Sequence, residues 1–159
     1  MFQKGKKNSP LTGGLSIMIV GCGKVGKTLV ERLSREGHDI SVVDKGAARL
    51  QSVTNMYDVF GVVGNGASFT VLKEAGIEHT DILIAVTDSD ELNLLCCLVA
   101  KRSGNCDVIA RVRTPDYSEE KAYLKEKLGL AMLINLEQDA ANAISRILHL
   151  PTALAVATF

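Results

Sequence analysis

Tryptophan is absent from this 159-residue chain, and four Phe and three Tyr are its whole aromatic complement. That is too few for a base-stacking platform. Excess charge is also missing: 18 Lys and Arg balance 18 Asp and Glu, which removes a global electrostatic reason to approach nucleic acid or an acidic membrane. No apolar run approaches the ~20 residues that span a bilayer, and the N-terminus lacks the continuous apolar core of a signal peptide. A soluble, cytoplasmic protein is expected. Cys22, Cys96, Cys97 and Cys106 show no C-x-x-C spacing, so buried thiols are expected rather than a zinc site or redox pair. The histidines, His38, His79 and His149, have no nucleophile beside them, and no G-x-S-x-G elbow occurs. The sequence therefore lacks the signatures of a serine or cysteine hydrolase.

What is present is periodic. Short apolar runs recur every 19 to 26 residues, at Ile17–Val20, Ile40–Val43, Val59–Val63, Ile82–Val86, Val108–Val112 and Met132–Ile134. Each has strand length, and the segments between carry helical spacing, as in Val25, Leu29 and Leu33 before a stop at Gly37. Strands alternating with helices predict an α/β, Rossmann-like doubly wound parallel sheet of about six strands, covered by helices on both faces. Residues 1–15 read as a flexible leader or vector-derived remnant, 16–150 as the nucleotide-binding domain, and 151–159 as an apolar tail or the start of a connection to a partner or further domain. The run Leu92–Ala100, polar only at Asn93, and the apolar tail are expected interface elements.

Between the first strand and first helix stands Gly21-Cys22-Gly23-Lys24-Val25-Gly26. In a dinucleotide site Gly21 permits the tight turn, Gly23 admits pyrophosphate to the backbone, and Gly26 allows close helix–strand packing, with free amides at the helix start. Asp44 follows 18 residues after Gly26, placed to accept the ribose hydroxyls. Its charge disfavours a 2′-phosphate, a preference that neighbouring Lys45 blurs. The same string, ending in Lys27-Thr28, also satisfies G-x-x-x-x-G-K-[ST], in which Lys27 would reach terminal phosphates and Thr28 would hold magnesium with Asp44 or Asp88. The residues alone leave both alternatives open.

Together with GCGKVG and Asp44, the segments VVGNGAS (Val62 to Ser68), ILIAVTDSDELN (Ile82 to Asn93) and ARVRTPDY (Ala110 to Tyr117) make the chain resemble the RCK or KTN family of potassium-transport regulatory domains, of the TrkA N-terminal type. The likeness spans about Ser16 to Phe159. It implies a Rossmann fold, which makes Lys27 and Thr28 incidental, and it implies that Gly21, Gly23 and Gly26 form the phosphate loop while Asp44 holds the adenosine ribose. By the same resemblance Gly64, Asn65 and Gly66 contact adenosine, Thr87 and Asp88 close over the rest of the nucleotide, and Arg111 and Arg113 lie near phosphates or a neighbouring subunit. Strand alternation puts both arginines on one face. Structural roles compete: Asp88-x-x-Glu91 could cap a helix, Asn65 could support a turn with positive backbone angles, and Arg113 could pair with Asp116 or Glu119. A metal at Asp88, Asp90 and Glu91 lacks a histidine or further acid at ligand spacing.

The implied function is a regulator, not an enzyme: a cytoplasmic subunit or domain that binds NAD or NADH, with ADP, ATP and AMP as further candidates. It would act as a homodimer or larger ring on a membrane potassium transporter or channel subunit, with no nucleic acid and no membrane insertion of its own. The alternatives are the cofactor domain of an NAD-dependent oxidoreductase and a P-loop NTPase. Tyr117-x-x-x-Lys121, with Ser103 upstream, has the spacing of the short-chain dehydrogenase pair. Tyr123-x-x-x-Lys127 fits equally well, however, and the T-G-x-x-x-G-x-G loop is absent. Both pairs are expected to be neighbours on an exposed helical face.

Overall fold

The computed structural model describes residues 14–149. Six strands form one parallel sheet: β1 (Ser16–Val20), β2 (Asp39–Asp44), β3 (Phe60–Val63), β4 (Ile82–Ala85), β5 (Asp107–Arg111) and β6 (Met132–Ile134). Their spatial order is β3-β2-β1-β4-β5-β6, as expected for a Rossmann-like sheet. The connecting helices are α1 (Lys24–Arg35), α2 (Ala47–Met56), α3 (Phe69–Glu74), α4 (Asp90–Ser103), α5 (Pro115–Glu119) and α6 (Lys121–Leu128), and α7 (Leu136–His149) follows the last strand. The leader as far as residue 13 and the 151–159 tail lie outside the described residues.

Alternation along each strand builds two cores. Met18, Val20, Leu83, Ala85, Val108 and Ala110 point to one face, where they meet Leu72 of α3 and Cys96, Cys97 and Ala100 of α4. Their neighbours Ile17, Ile19, Ile82 and Ile84 point to the other, against Val30 of α1 and Leu50 and Val53 of α2. Burial on both faces is why the strands read as continuous apolar runs. All four cysteines are buried and free, and burial pushes the Cys22 and Cys96 thiols up to about 12 and Cys106 up to about 11. They are protonated packing groups at neutral pH.

Two helical expectations change. The α4 helix is not apolar all round in use: Cys96, Cys97 and Ala100 enter the core, Leu92, Leu94 and Val99 pack at its margin, and Leu95 is exposed. Asn93, its one polar residue in that run, is fully buried. The Tyr117–Lys121 pair does not share a continuous helix, because α5 ends at Glu119 and α6 starts at Lys121. Tyr117 instead packs against the first core, and a hydrogen bond with Glu91 raises its pKa. Tyr123 and Lys127 do pair along α6, the ammonium 6.0 Å from the ring centroid.

Candidate functional site

In an open parallel sheet the ligand crevice forms at the carboxyl ends of the strands where the chain order reverses. Here that point lies between β1 and β4. A cleft of about 230 Å³ opens there, lined by Gly21 and Gly23 after β1, Asp44, Lys45 and Arg49 after β2, Gly64 and Gly66 after β3, and Thr87, Asp88 and Ser89 after β4.

The phosphate loop is built by contact. Gly21 has φ +110°, which L side chains rarely adopt, and a Cβ on it would lie 3.0 Å from the Val86 carbonyl and the Thr87 amide nitrogen. A Cβ on Gly26 would lie 1.8 Å from the Gly21 carbonyl oxygen. The turn and the start of α1 therefore touch backbone to backbone. Gly23 differs, because a Cβ there meets nothing within 4 Å, so its open side is cleft space. It caps α1 without a side-chain hydrogen bond, and the first turn carries no acidic residue. No carboxylate of the helix's own first turn competes with an anion for its positive end.

Asp44 ends β2, 6% exposed. Its Oδ2 accepts the Cys22 amide at 2.6 Å, and its Oδ1 accepts the Gly46 amide at 2.6 Å and the Arg49 guanidinium at 2.9 Å. Burial alone would raise its pKa, but the two amide bonds and Arg49 outweigh burial and hold the carboxyl below its ordinary value. The carboxylate thus ties the second strand end to the phosphate loop.

Beyond β4, Asn93 organises the edge. Its Oδ1 accepts from the Thr87 amide (2.8 Å) and hydroxyl (2.6 Å), and its Nδ2 donates to the Thr87 carbonyl (3.1 Å) and the Arg111 carbonyl (2.8 Å). Asp90, also buried, accepts the Arg113 and Thr114 amides and the Thr114 hydroxyl. Its burial is outweighed by those bonds, so its pKa too is lowered. The loops after β4 and β5 are thereby one hydrogen-bonded unit.

Of the residues expected at the site, Gly21, Gly23, Asp44, Lys45, Gly64, Gly66, Thr87 and Asp88 line the cleft. Cys22 contributes its amide while its thiol is buried, Gly26 supports the turn from beneath, and Lys24 and Val25 open α1. Asn65 is not in a positive-φ conformation; its side chain accepts the Ala67 amide at 2.9 Å, which makes the turn without one. Asp88 is not the cap of α4, since Ser89 takes that place and accepts the Leu92 amide at 3.1 Å. The two arginines part company. Arg113 donates to the Asp88 carbonyl at 2.9 Å rather than turning to Asp116 or Glu119, whereas Arg111 is buried 3.2 Å from Glu137 of α7 and is not among the lining residues. The physical reason is that β5 ends at Arg111, so strict alternation no longer steers Arg113. Thr28 bonds back to the Lys24 carbonyl at 2.9 Å and neither it nor Lys27 lines the cleft. Arg49 carries no expectation in the sequence, Asp90 only that of a metal ligand beside Asp88 and Glu91, and Asn93 only its place as the lone polar residue of an apolar helical run.

Comparison with known proteins agrees with this fold. The chain is 37% identical over 145 residues to a Trk system potassium uptake protein TrkA homolog of Archaeoglobus fulgidus, covering 91% of this chain and 33% of that protein. It is 41% identical over 147 residues to the TrkA of Halomonas elongata, covering 91% and 32%. It thus spans about a third of the length of these curated relatives. Among solved structures it is similar in fold to the TrkA-N domain of the inner membrane protein YbaL of Escherichia coli, with TM-score 0.74, 23% identity, and coverage of 86% of this chain and 98% of that one. Further fold likenesses are the Kef C-terminal domain of Shewanella denitrificans in its AMP-bound form (TM-score 0.67, 20% identity, 88% and 86% covered) and the GsuK channel bound to NAD (0.66, 23%, 77% and 22%). The TrkA-N domain family matches residues 17–136, and the chain belongs to that family.

Proposed function

We propose that this domain is the nucleotide-binding regulatory module of a potassium-transport system. It takes an adenine nucleotide, NAD or NADH first and ADP, ATP or AMP as further ligands, in the β1/β4 cleft. It acts from the cytoplasmic side, peripheral to the inner membrane, on a membrane transporter or channel subunit. The observation that carries this reading is the open face of Gly23 at the uncapped start of α1 beside the buried, ionised Asp44. That combination suits a pyrophosphate and a ribose diol at once. Family membership and the nucleotide-bound fold relatives support it, and no described helix is long and apolar enough to cross a membrane. A regulator rather than an oxidoreductase is favoured by the match to the TrkA-N family and to curated potassium-uptake relatives.

A nucleotide can bias a transporter only by interacting differently with two states of the assembly. The bonded unit of Thr87, Asn93 and Arg111, joined to α7 through Glu137, is the physical route from cleft to surface. Isothermal titration of NAD, NADH, ADP and ATP tests the binding. The expected result is saturable binding of at least one nucleotide without turnover. Binding of none, or hydride transfer to an added substrate, contradicts the reading.

The exposed apolar stripe of α7 supports self-association. This 14-residue helix contains no buried residue, and Ile144 (58% exposed) and Leu148 (73%) lie four apart on one stripe with Leu136. A lone helix of this length is marginal in water, so packing of its apolar stripe on a second copy is the stabilising arrangement. Leu148→Glu is expected to weaken self-association at least about tenfold in sedimentation equilibrium; an unchanged dimer constant contradicts that interface.

A further inference from the structure

Asp44 has about four acceptor positions on its two oxygens, and it already accepts four hydrogen bonds, two of them from the Arg49 Nε and Nη2. Oδ1 is filled by the Gly46 amide and Arg49, and Oδ2 has already accepted the Cys22 amide. A ribose diol that needs both oxygens must displace a donor. The amides are fixed by the backbone, whereas the Arg49 side chain is 59% exposed against 6% for Asp44 and is the donor that can leave. Its guanidinium rests over Gly46, where a Cβ would come within 3.1 Å of Cζ and Nη2, so a side chain at that position would make it shift by a few tenths of an ångström. Lys45 lines the same end of the cleft. The ribose end therefore holds two cations and one carboxylate whose charge is already neutralised, while the other acid in the lining, Asp88, stands across the switch point after β4. Such an end does not repel a 2′-phosphate as an unpaired Asp44 would.

We infer that Arg49 is a specificity-determining residue: its guanidinium competes with the ribose 2′-hydroxyl for Asp44 and pairs with a 2′-phosphate, so the cleft admits 2′-phosphorylated dinucleotides as well as NAD. A planar guanidinium meets a phosphate with two parallel hydrogen bonds, and its release from Asp44 is compensated by that dianion. This extends the sequence-level preference set by Asp44 alone, and it rests on the nucleotide-binding reading above.

The test is calorimetric titration of NADH and NADPH into the wild-type chain and into Arg49→Gln, with melting curves to establish that both are folded. The wild type is expected to bind both, and in Arg49→Gln the affinity for NADPH relative to NADH is expected to fall at least about tenfold, the size of a lost charge-assisted phosphate contact. Wild type that binds NADH but not NADPH, or a ratio that moves by less than tenfold in the variant, overturns the inference and leaves the nucleotide site standing. Wild type that binds neither these nor ADP overturns the nucleotide reading and this inference with it.

Discussion

Gly26→Ala is expected to unfold the phosphate loop, lowering stability by about 3 kcal/mol or more, because overpacking against rigid backbone has no rotamer that relieves it. The added Cβ would sit 1.8 Å from the Gly21 carbonyl oxygen and 2.8 Å from its carbon. At this chain length the loss corresponds to a melting temperature lower by roughly 6–12 °C, and nucleotide binding goes with it. Gly23→Ala separates packing from ligand contact, since its Cβ meets no protein atom within 4 Å. That variant should melt within about 2 °C of the wild type yet bind nucleotide at least about tenfold more weakly, its methyl occupying the path of the pyrophosphate. Differential scanning calorimetry with titration on both variants checks the pair. A Gly26→Ala protein as stable as the wild type contradicts the geometry of the turn.

Asp44→Ala is expected to abolish nucleotide binding, a loss of about a hundredfold or more from removing a charged acceptor for the ribose. It should also cost about 2–4 kcal/mol of stability, because the Cys22 and Gly46 amides lose their acceptor. Burial raises the Asp44 pKa and the amide and Arg49 bonds lower it further than burial lifts it, so the folded value lies below the unfolded one. Its stabilisation is therefore complete above the ordinary carboxylate range, about pH 4, and is lost as pH falls through the depressed folded value. Urea unfolding at pH 7 and pH 3 should show wild type losing more stability on acidification than Asp44→Ala. Equal losses contradict the role given to this carboxylate.

Features set by local pattern were legible in the sequence. The strand cores at Ile17–Val20 and Ile82–Ala85, the glycine loop between β1 and α1, and Asp44 at the end of β2 follow from runs of adjacent residues whose chemistry repeats a known local geometry. What was hidden depends on contacts made across the sheet. Arg49 matters because α2 returns its first turn over Asp44, and Asn93 because burial of α4 points its amide at Thr87 and the Arg111 carbonyl. A Ser89 cap displaced the Asp88 cap by one residue, a shift that pattern alone does not resolve because both residue types cap helices. Arg111 and Arg113 looked equivalent by strand period and differ because the sheet ends between them.

Nucleotide is expected to bind at the β1/β4 switch point, contacting the loops after β1, β2, β3 and β4. Backbone hydrogen–deuterium exchange of the wild-type chain, with and without saturating NADH, locates the bound nucleotide. The predicted result is slowed exchange confined to residues 21–26, 44–46, 64–66 and 87–89, with smaller protection passing to α4 through Asn93. Saturating NADH that leaves those segments unchanged, or protects a different surface, would contradict it.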